Sequence, residues 1–418
     1  MDAVGSGLLR PFLLLYGVAV LRLSAPVTGG AMTVGVVAGL ACVPVVGRWL
    51  DRGARSTAVA ASISVRMLGV AVLLIIPAGH AWLFATATLL FGVGNQAFPT
   101  ANAAVVATVA HGRERDTALA GCRALRNAGQ GVGALLAMTC LAGGPTAMRA
   151  LAAVTGLAYV GAATLAWSVH LRAQPVATPA NVRTDTTAPR MGALLAANVV
   201  YAFCLNVPEI ALPLVLVTQM HASAAWSAAI FVANTVLVVT LQVPVTVLMS
   251  RFSRRTAMAL AGVVLTASYL GFLAVTSLGG DRGAPAVAAV SVVCTLGEIL
   301  YAGSATALAA HLAPAAGLGR TLARFQLSTG VGLAVSPAAI AALAPHGPTV
   351  LWGSLAAATL LSASAVAADR LAGDDVASPT PRVDRFSSST ASSGMCPRAE
   401  PPPAPHRSGP SGPQHPVA

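Results

Sequence analysis

Two glutamates stand alone inside long apolar stretches: Glu209 in NVPEIALPLVL (206–216) and Glu298 in TLGEILYAG (295–303). Hydrocarbon around a carboxyl penalises its charged form, which suits a group that takes up and releases a proton. Pro208 and Pro213 flank Glu209 and would interrupt a helix there, freeing backbone carbonyls beside it. A structural glutamate bonded to a neighbouring helix is the plainer alternative for both. Two cations, Arg10 and Arg66, lie in similar surroundings. Arg10 either faces a cavity or snorkels to an interface, and Arg66 either pairs with a carboxylate or touches a ligand. Uncharged groups that could line the same space are Asn95, Gln96, Asn127, Gln130, Asn198, Asn234 and Gln242. Hydrogen bonding between helices is their competing role.

Charge gathers elsewhere in short clusters. GRWLDRGARS (47–56) holds Arg48, Asp51, Arg52 and Arg55 in a chain that is only 9% charged. TVLMSRFSRR (246–255) repeats the pattern, setting Thr246 against Gly47, Ser250 against Asp51, Arg251 against Arg52 and Arg254 against Arg55. RALRNAGQG (123–131) lies over RFQLSTGVG (324–332) in the same way, matching Arg123 with Arg324. Two segments at nearly one offset argue for a duplicated unit.

The elements that must position these residues follow from composition. The chain of 418 residues is 56% hydrophobic, with a mean hydropathy of +0.75. Apolar runs long enough to cross a bilayer recur as far as about residue 371, and their polarity does not alternate as barrel strands require. An all-α integral membrane protein is expected, with twelve transmembrane helices in two pseudo-symmetric six-helix bundles. The expected helices are 4–22, 26–48, 57–78, 81–108, 122–142, 149–170, 191–217, 224–248, 256–278, 285–308, 321–344 and 348–369. Residues 1–171 form the first bundle, 172–190 a polar central linker with three prolines, and 191–371 the second bundle. Residues 372–418, rich in Pro and Ser, are expected to be a disordered tail.

With the N-terminus on the cytoplasmic side, seventeen arginines fall inside and three outside, which sets both termini in the cytoplasm. Arg123 and Arg126 then stand at the cytoplasmic start of the fifth helix, where lipid phosphate anchors them. All 25 basic residues are arginine and no aromatic-interleaved basic patch exists, so the net charge of +12 does not indicate nucleic-acid binding. The six cysteines show no CxxC spacing, and buried, inert thiols are expected rather than disulfides or a zinc site.

The loop 47–56 resembles the signature of the major facilitator superfamily, Gly-x-x-x-Asp-Arg-x-Gly-Arg-Arg. Gly47, Asp51, Arg52 and Arg55 are in register, while Ala54 and Ser56 depart from it. Helix number, central linker and repeated loop extend the likeness over roughly residues 1–371. The resemblance implies that Asp51 meets the N-terminus of the eleventh helix, which begins near Arg320, with Gly47 allowing close approach and the arginines pairing with Asp51 and lipid headgroups. It implies a latch holding the halves together when the cavity faces outward. A positive-inside anchor without conformational role is the alternative.

The expected function is a secondary active transporter that moves a small organic molecule by alternating access across a bacterial cytoplasmic membrane. Proton-coupled efflux of a drug or metabolite is the favoured direction, by a monomer using the proton gradient and no cofactor or metal. A nutrient uptake permease and a transport-inactive membrane sensor are the alternatives. A polytopic enzyme lacks support, since HExxH, a nucleophile elbow and a carboxylate cluster are all missing from the sequence. Two patterns of drug–proton exporters are also absent: an arginine in LLFGVGNQAFP (89–99) and a proline in GQGVGALLA (129–137). MDAVGSGLLRPFLLLY (1–16) looks like the second half of a first helix, so a start site placed too far downstream is expected.

Overall fold

The computed structural model describes residues 2–9, 12–140, 144–168, 188–276, 283–314 and 317–376, and all regular structure among them is helical. The first predicted stretch holds α1 (Asp2–Leu9) and α2 (Leu13–Leu15), which runs on into a π-helical turn, Tyr16–Val20. Then come α3 (Ala25–Asp51), α4 (Arg55–Ile75), α5 (Ala81–Val109), α6 (Gly112–Cys140) and α7 (Gly144–Ser168). After them, α8 (Ala188–Cys204) is followed by a π-helical turn at Val207–Ala211, α9 (Leu212–Leu214) and another π-helical turn at Val215–Gln219. The last five helices are α10 (Ala224–Met249), α11 (Arg254–Thr276), α12 (Gly283–Leu312), α13 (Leu318–Leu343) and α14 (Pro348–Val376).

Every predicted stretch contains helix, and by length and apolarity alone not all twelve stand out as spans among the described residues. Among the described residues nine helical segments are long and apolar enough. The bent pair Asp2–Leu9 and Leu13–Val20, at 50°, makes ten if counted as one span. Two 29-residue helices fall outside that set, α5 with Asn95, Gln96 and Asn102, and α6 with six charged residues. Three boundaries also move. α6 starts at Gly112 rather than near residue 122, α8 begins inside the expected linker at Ala188, and α14 extends past residue 371 to Val376. The rest of the linker and of the tail lies outside the described residues.

The backbone itself records a duplication. Arg22 and His221, 199 residues apart, are the two non-glycine residues with positive φ among those described, at 55° and 53°. Each follows a π-helical turn, and the same hydrogen bonds recur, Leu23 N to Gly17 O at 3.0 Å and Ala222 N to Leu216 O at 2.8 Å. The same spacing separates the start of α4 at Arg55 from that of α11 at Arg254. A residue outside glycine rarely enters this region of φ, so a shared deviation at one offset marks a repeated unit.

Each repeat has its own core. Tyr16, Val70, Leu73, Phe84, Phe91 and Tyr159 centre one, and Tyr201, Leu212, Tyr269, Phe272 and Trp352 the other. A third, smaller cluster draws on both repeats, joining Leu50, Ala58, Ala101 and Ala104 to Ala310 and Leu322. Between the repeats, α3 packs on α13 and α6 on α10. Side chains such as Val37, Val45, Leu125, Leu157 and Leu361 remain exposed, an apolar exterior that lipid rather than water would cover.

Candidate functional site

The end of the bundle that carries the arginine clusters is tied together by charge. α3 ends at Asp51, where the C-terminal end of its own dipole is unfavourable to a carboxylate. The first turn of α13 offers the opposite pole. Gly319 N donates to Asp51 Oδ1 at 2.7 Å, Arg320 N to Oδ2 at 3.3 Å, and Arg320 Nε to Oδ2 at 2.8 Å. The approach depends on Gly47: a Cβ there would stand 2.6 Å from Ala323 Cβ and 2.9 Å from the Gly319 carbonyl oxygen. Gly53, with φ of 93°, turns the chain into α4 immediately afterwards.

The arginines of this motif do other work than expected. Among the described residues Arg320 is the side chain in an ion pair with Asp51, whose charge also bears on Arg55. Arg55 donates to Thr108 Oγ1 and so fastens the start of α4 to the end of α5, while Arg52 is exposed. In the second repeat Arg251 is exposed, and Arg254 reaches across to the first repeat. Its Nε lies 2.9 Å from Asp116 Oδ2 and its Nη2 donates to Gly112 O at 3.3 Å. Deeper in the bundle Gln326 Nε2 donates to Gln96 Oε1 at 3.1 Å, a third link between the repeats.

The two carboxylates of the apolar stretches differ in setting. Glu298, on α12, is 5% exposed, and its Oε1 has no hydrogen-bond partner among the described residues. Gly297 beside it packs against Leu265 of α11. Glu209 is exposed, on the π-helical turn Val207–Ala211. The helix is interrupted just ahead of it, where Asn206 Nδ2 donates to Leu333 O at 3.2 Å and to Ser336 Oγ. The charges that bear on Glu298 are those of Glu209 and of Arg123.

Arg123 therefore needs a correction. The expectation put it at the lipid interface, but α6 starts at Gly112, which carries Arg123 about three turns into the helix. There it is half-buried and its charge bears on Glu298 and Tyr301 of the other repeat. Among the described residues it makes no hydrogen bond and no ion pair. Arg126 is half-buried on the same helix rather than at an exposed interface.

Arg66 is a built structural cation. It is 2% exposed, with Nη1 2.8 Å from Asp2 Oδ1 and 3.4 Å from Ser6 Oγ, and the rings of Phe98 and Tyr159 lie 4.8 and 5.2 Å from its guanidinium carbon. This favours the carboxylate-paired role over contact with a ligand. Arg10 lies outside the described residues.

Two of the polar candidates take the competing role named for them. Asn198 is fully buried: Nδ2 donates to Ser328 Oγ and Thr329 Oγ1, both at 2.8 Å, and Oδ1 accepts from Tyr301 at 2.9 Å. Gln242, also fully buried, donates to Ile299 O at 3.3 Å. Both join helices within one repeat, the competing role of hydrogen bonding between helices. Asn95, Gln96, Asn127, Gln130 and Asn234 stay half-buried, and Asn234 accepts from Thr295 at 2.8 Å. The thiols divide likewise: Cys204 and Cys294 are buried, Cys42 is half-buried, and Cys122 is exposed, contrary to the expectation of buried thiols.

Sequence reasoning missed Asp2, Asp116 and Gln326. Asp2 and Asp116 are charged residues in or beside helices, and their partners Arg66 and Arg254 lie far along the chain, so spacing could not pair them.

The profile of the Major Facilitator Superfamily matches residues 1–337. The chain belongs to that superfamily. No curated protein matches the sequence significantly. Among solved structures it is similar to a bacterial homologue of the iron transporter ferroportin in the outward-facing state. The TM-score is 0.73 at 13% identity, over 88% of this chain and 96% of that one. It is also similar to FucP, a transporter of this superfamily, in the outward conformation (TM-score 0.67, 14% identity, 88% and 94% covered). A third similar structure is the human organic anion transporter MFSD10 (TM-score 0.64, 14% identity, 87% and 96% covered). At these identities the likeness is one of fold. The protein is a multi-pass membrane transporter with a small-molecule substrate, not an enzyme.

Proposed function

We propose that the chain exports a small organic molecule, a drug or a metabolite, across a bacterial cytoplasmic membrane in exchange for protons. It acts as a monomer with both termini inside, by alternating access, and needs no cofactor because the proton gradient supplies the energy. The observation that carries this reading is Glu298: a carboxyl 5% exposed, its Oε1 without a hydrogen-bond partner among the described residues, and within the fields of Glu209 and of Arg123 from the other repeat. Such a group changes its interactions with the opposite repeat when it gains or loses a proton, which is what coupling requires. The joined arginine-rich end supports an outward-facing form, in which the contacts of Asp51 and Arg254 hold the inner side shut.

The test is transport in proteoliposomes with an imposed pH gradient, using a panel of cationic and neutral toxic compounds and the host's secreted metabolites. Glu298→Gln is expected to lose gradient-driven accumulation by about a hundredfold, the scale of a removed acid–base group, while exchange without a gradient persists. Unchanged gradient-driven flux in that variant, or movement of substrate only with the proton flow, would sink the reading.

A further inference from the structure

Packing of α6 fixes the direction in which Arg123 looks. A Cβ at Gly129 would stand 2.7 Å from Ala3 Cβ, and one at Gly133 2.4 Å from the Val4 carbonyl oxygen, so that side of α6 lies on α1. Position 131 is about 200° round the helix from 129 and looks the other way. A Cβ there would be 3.4 Å from Thr235 Cγ2 on α10. Arg123, Asn127 and Gly131 follow at four-residue spacing and share this second side. Opposite them, Asn234, next to Thr235, accepts from Thr295, a neighbour of Glu298 on one face of α12.

Arg123 of the first repeat and Glu298 of the second therefore face each other, and the charge of each bears on the other. Among the described residues neither forms an ion pair. Glu298 is 5% exposed and its Oε1 has no hydrogen-bond partner there either. A charge inside a span is costly unless one of opposite sign meets it. The other titratable groups around Glu298 are Glu209, Cys204, Tyr269 and Cys294, and each of these is an acid. Two opposite charges held apart on opposite repeats fit a ligand that carries both signs itself.

We propose, on the reading of Glu298 as the group that exchanges protons, that the substrate is amphoteric, with a carboxylate held by Arg123 and a protonated amine held by Glu298. Amine and proton then compete for one carboxylate. Uptake of a proton by Glu298 breaks its ion pair with the amine and frees the substrate, and loss of that proton readmits the next. Arg123 moves no proton and selects for the carboxylate.

Exchange by the full-length protein in proteoliposomes, with no pH gradient, tests this. The probes are phenylalanine, leucine and leucyl-leucine. Each is set beside its N-acetyl form, which keeps the carboxylate alone, and its amide, which keeps the amine alone. At least one parent compound is expected to exchange, with its acetyl and amide forms weaker by about tenfold or more, the scale of one charge-assisted contact. Arg123→Gln is expected to weaken the parent by about tenfold and the amide far less, while Arg123→Lys keeps part of the preference. Glu298→Gln retains an amide oxygen for the amine, so exchange persists there at weaker affinity. Exchange of none of the parents, equal exchange of a parent and its amide, or equal weakening of both by Arg123→Gln overturns the proposal. Equal exchange of parent and amide alongside lost gradient-driven flux in Glu298→Gln would leave proton coupling standing and sink the amphoteric substrate alone.

Discussion

The two helix corners at the arginine-rich end occupy matching places in the repeats and use opposite charges. In the first, a carboxylate on the corner, Asp51, meets the start of α13. In the second, an arginine on the corner, Arg254, meets a carboxylate and a carbonyl on α6. The cause lies in where the facing helices begin. Pairing Arg123 with Arg324 sets Leu318, the first residue of α13, against Thr117, but α6 has already started at Gly112. The N–H groups that cap Asp51 have no counterpart on the second side, because the matching amides are inside a helix and already bonded. The extra turn instead presents Asp116. A carboxylate suits a helix start and an arginine suits a side chain acid, so each corner carries the charge its partner can accept.

Three substitutions bear on this contrast. Asp51→Asn should have the largest effect, since it removes the charge from three contacts and turns an NH₂ group toward donors. A loss of about 2 kcal/mol would shift the closed end toward opening by roughly thirtyfold. The alkylation rate of a cysteine placed at Gln326 reports that shift, and an unchanged rate would equate the two corners as mere anchors. Arg254→Ala should follow, with about 1–2 kcal/mol lost because Asp116, 8% exposed, is left without its closest partner. The combined Arg254→Ala and Asp116→Asn protein should recover most of that loss in thermal unfolding, and failure to recover would locate the effect elsewhere. Arg320→Ala should be smallest, at about 0–1 kcal/mol, since its side chain is 60% exposed and the backbone amides still hold Asp51. An effect as large as that of Asp51→Asn would assign the first corner to the ion pair rather than to the helix start.

How far the sequence reached differs from one group to another. Asp51 and its partner helix followed from a motif, and the motif works because the residues that shape the corner are contiguous. Glu209 and Glu298 stood out because carboxyls are rare in apolar stretches, yet one is exposed and the other buried, which depends on the helix break at Leu205–Asn206 and on packing by α11. Arg123 was misplaced by a single boundary. Charged residues between 113 and 116 look like a loop in a membrane chain, and only tertiary contact with Arg254 shows why a helix carries them.

By itself the sequence determined the solvent of this protein, its helical class and its duplication, since apolar run length and repeated arginine spacing are local properties that lipid reads directly. Tertiary structure decided which charges meet. Asp116 and Arg254 lie 138 positions apart, and Asp51 and Arg320 lie 269 apart. Pairing over such separations is set by how the helices of the two repeats pack and where each helix starts, which no window along the chain contains.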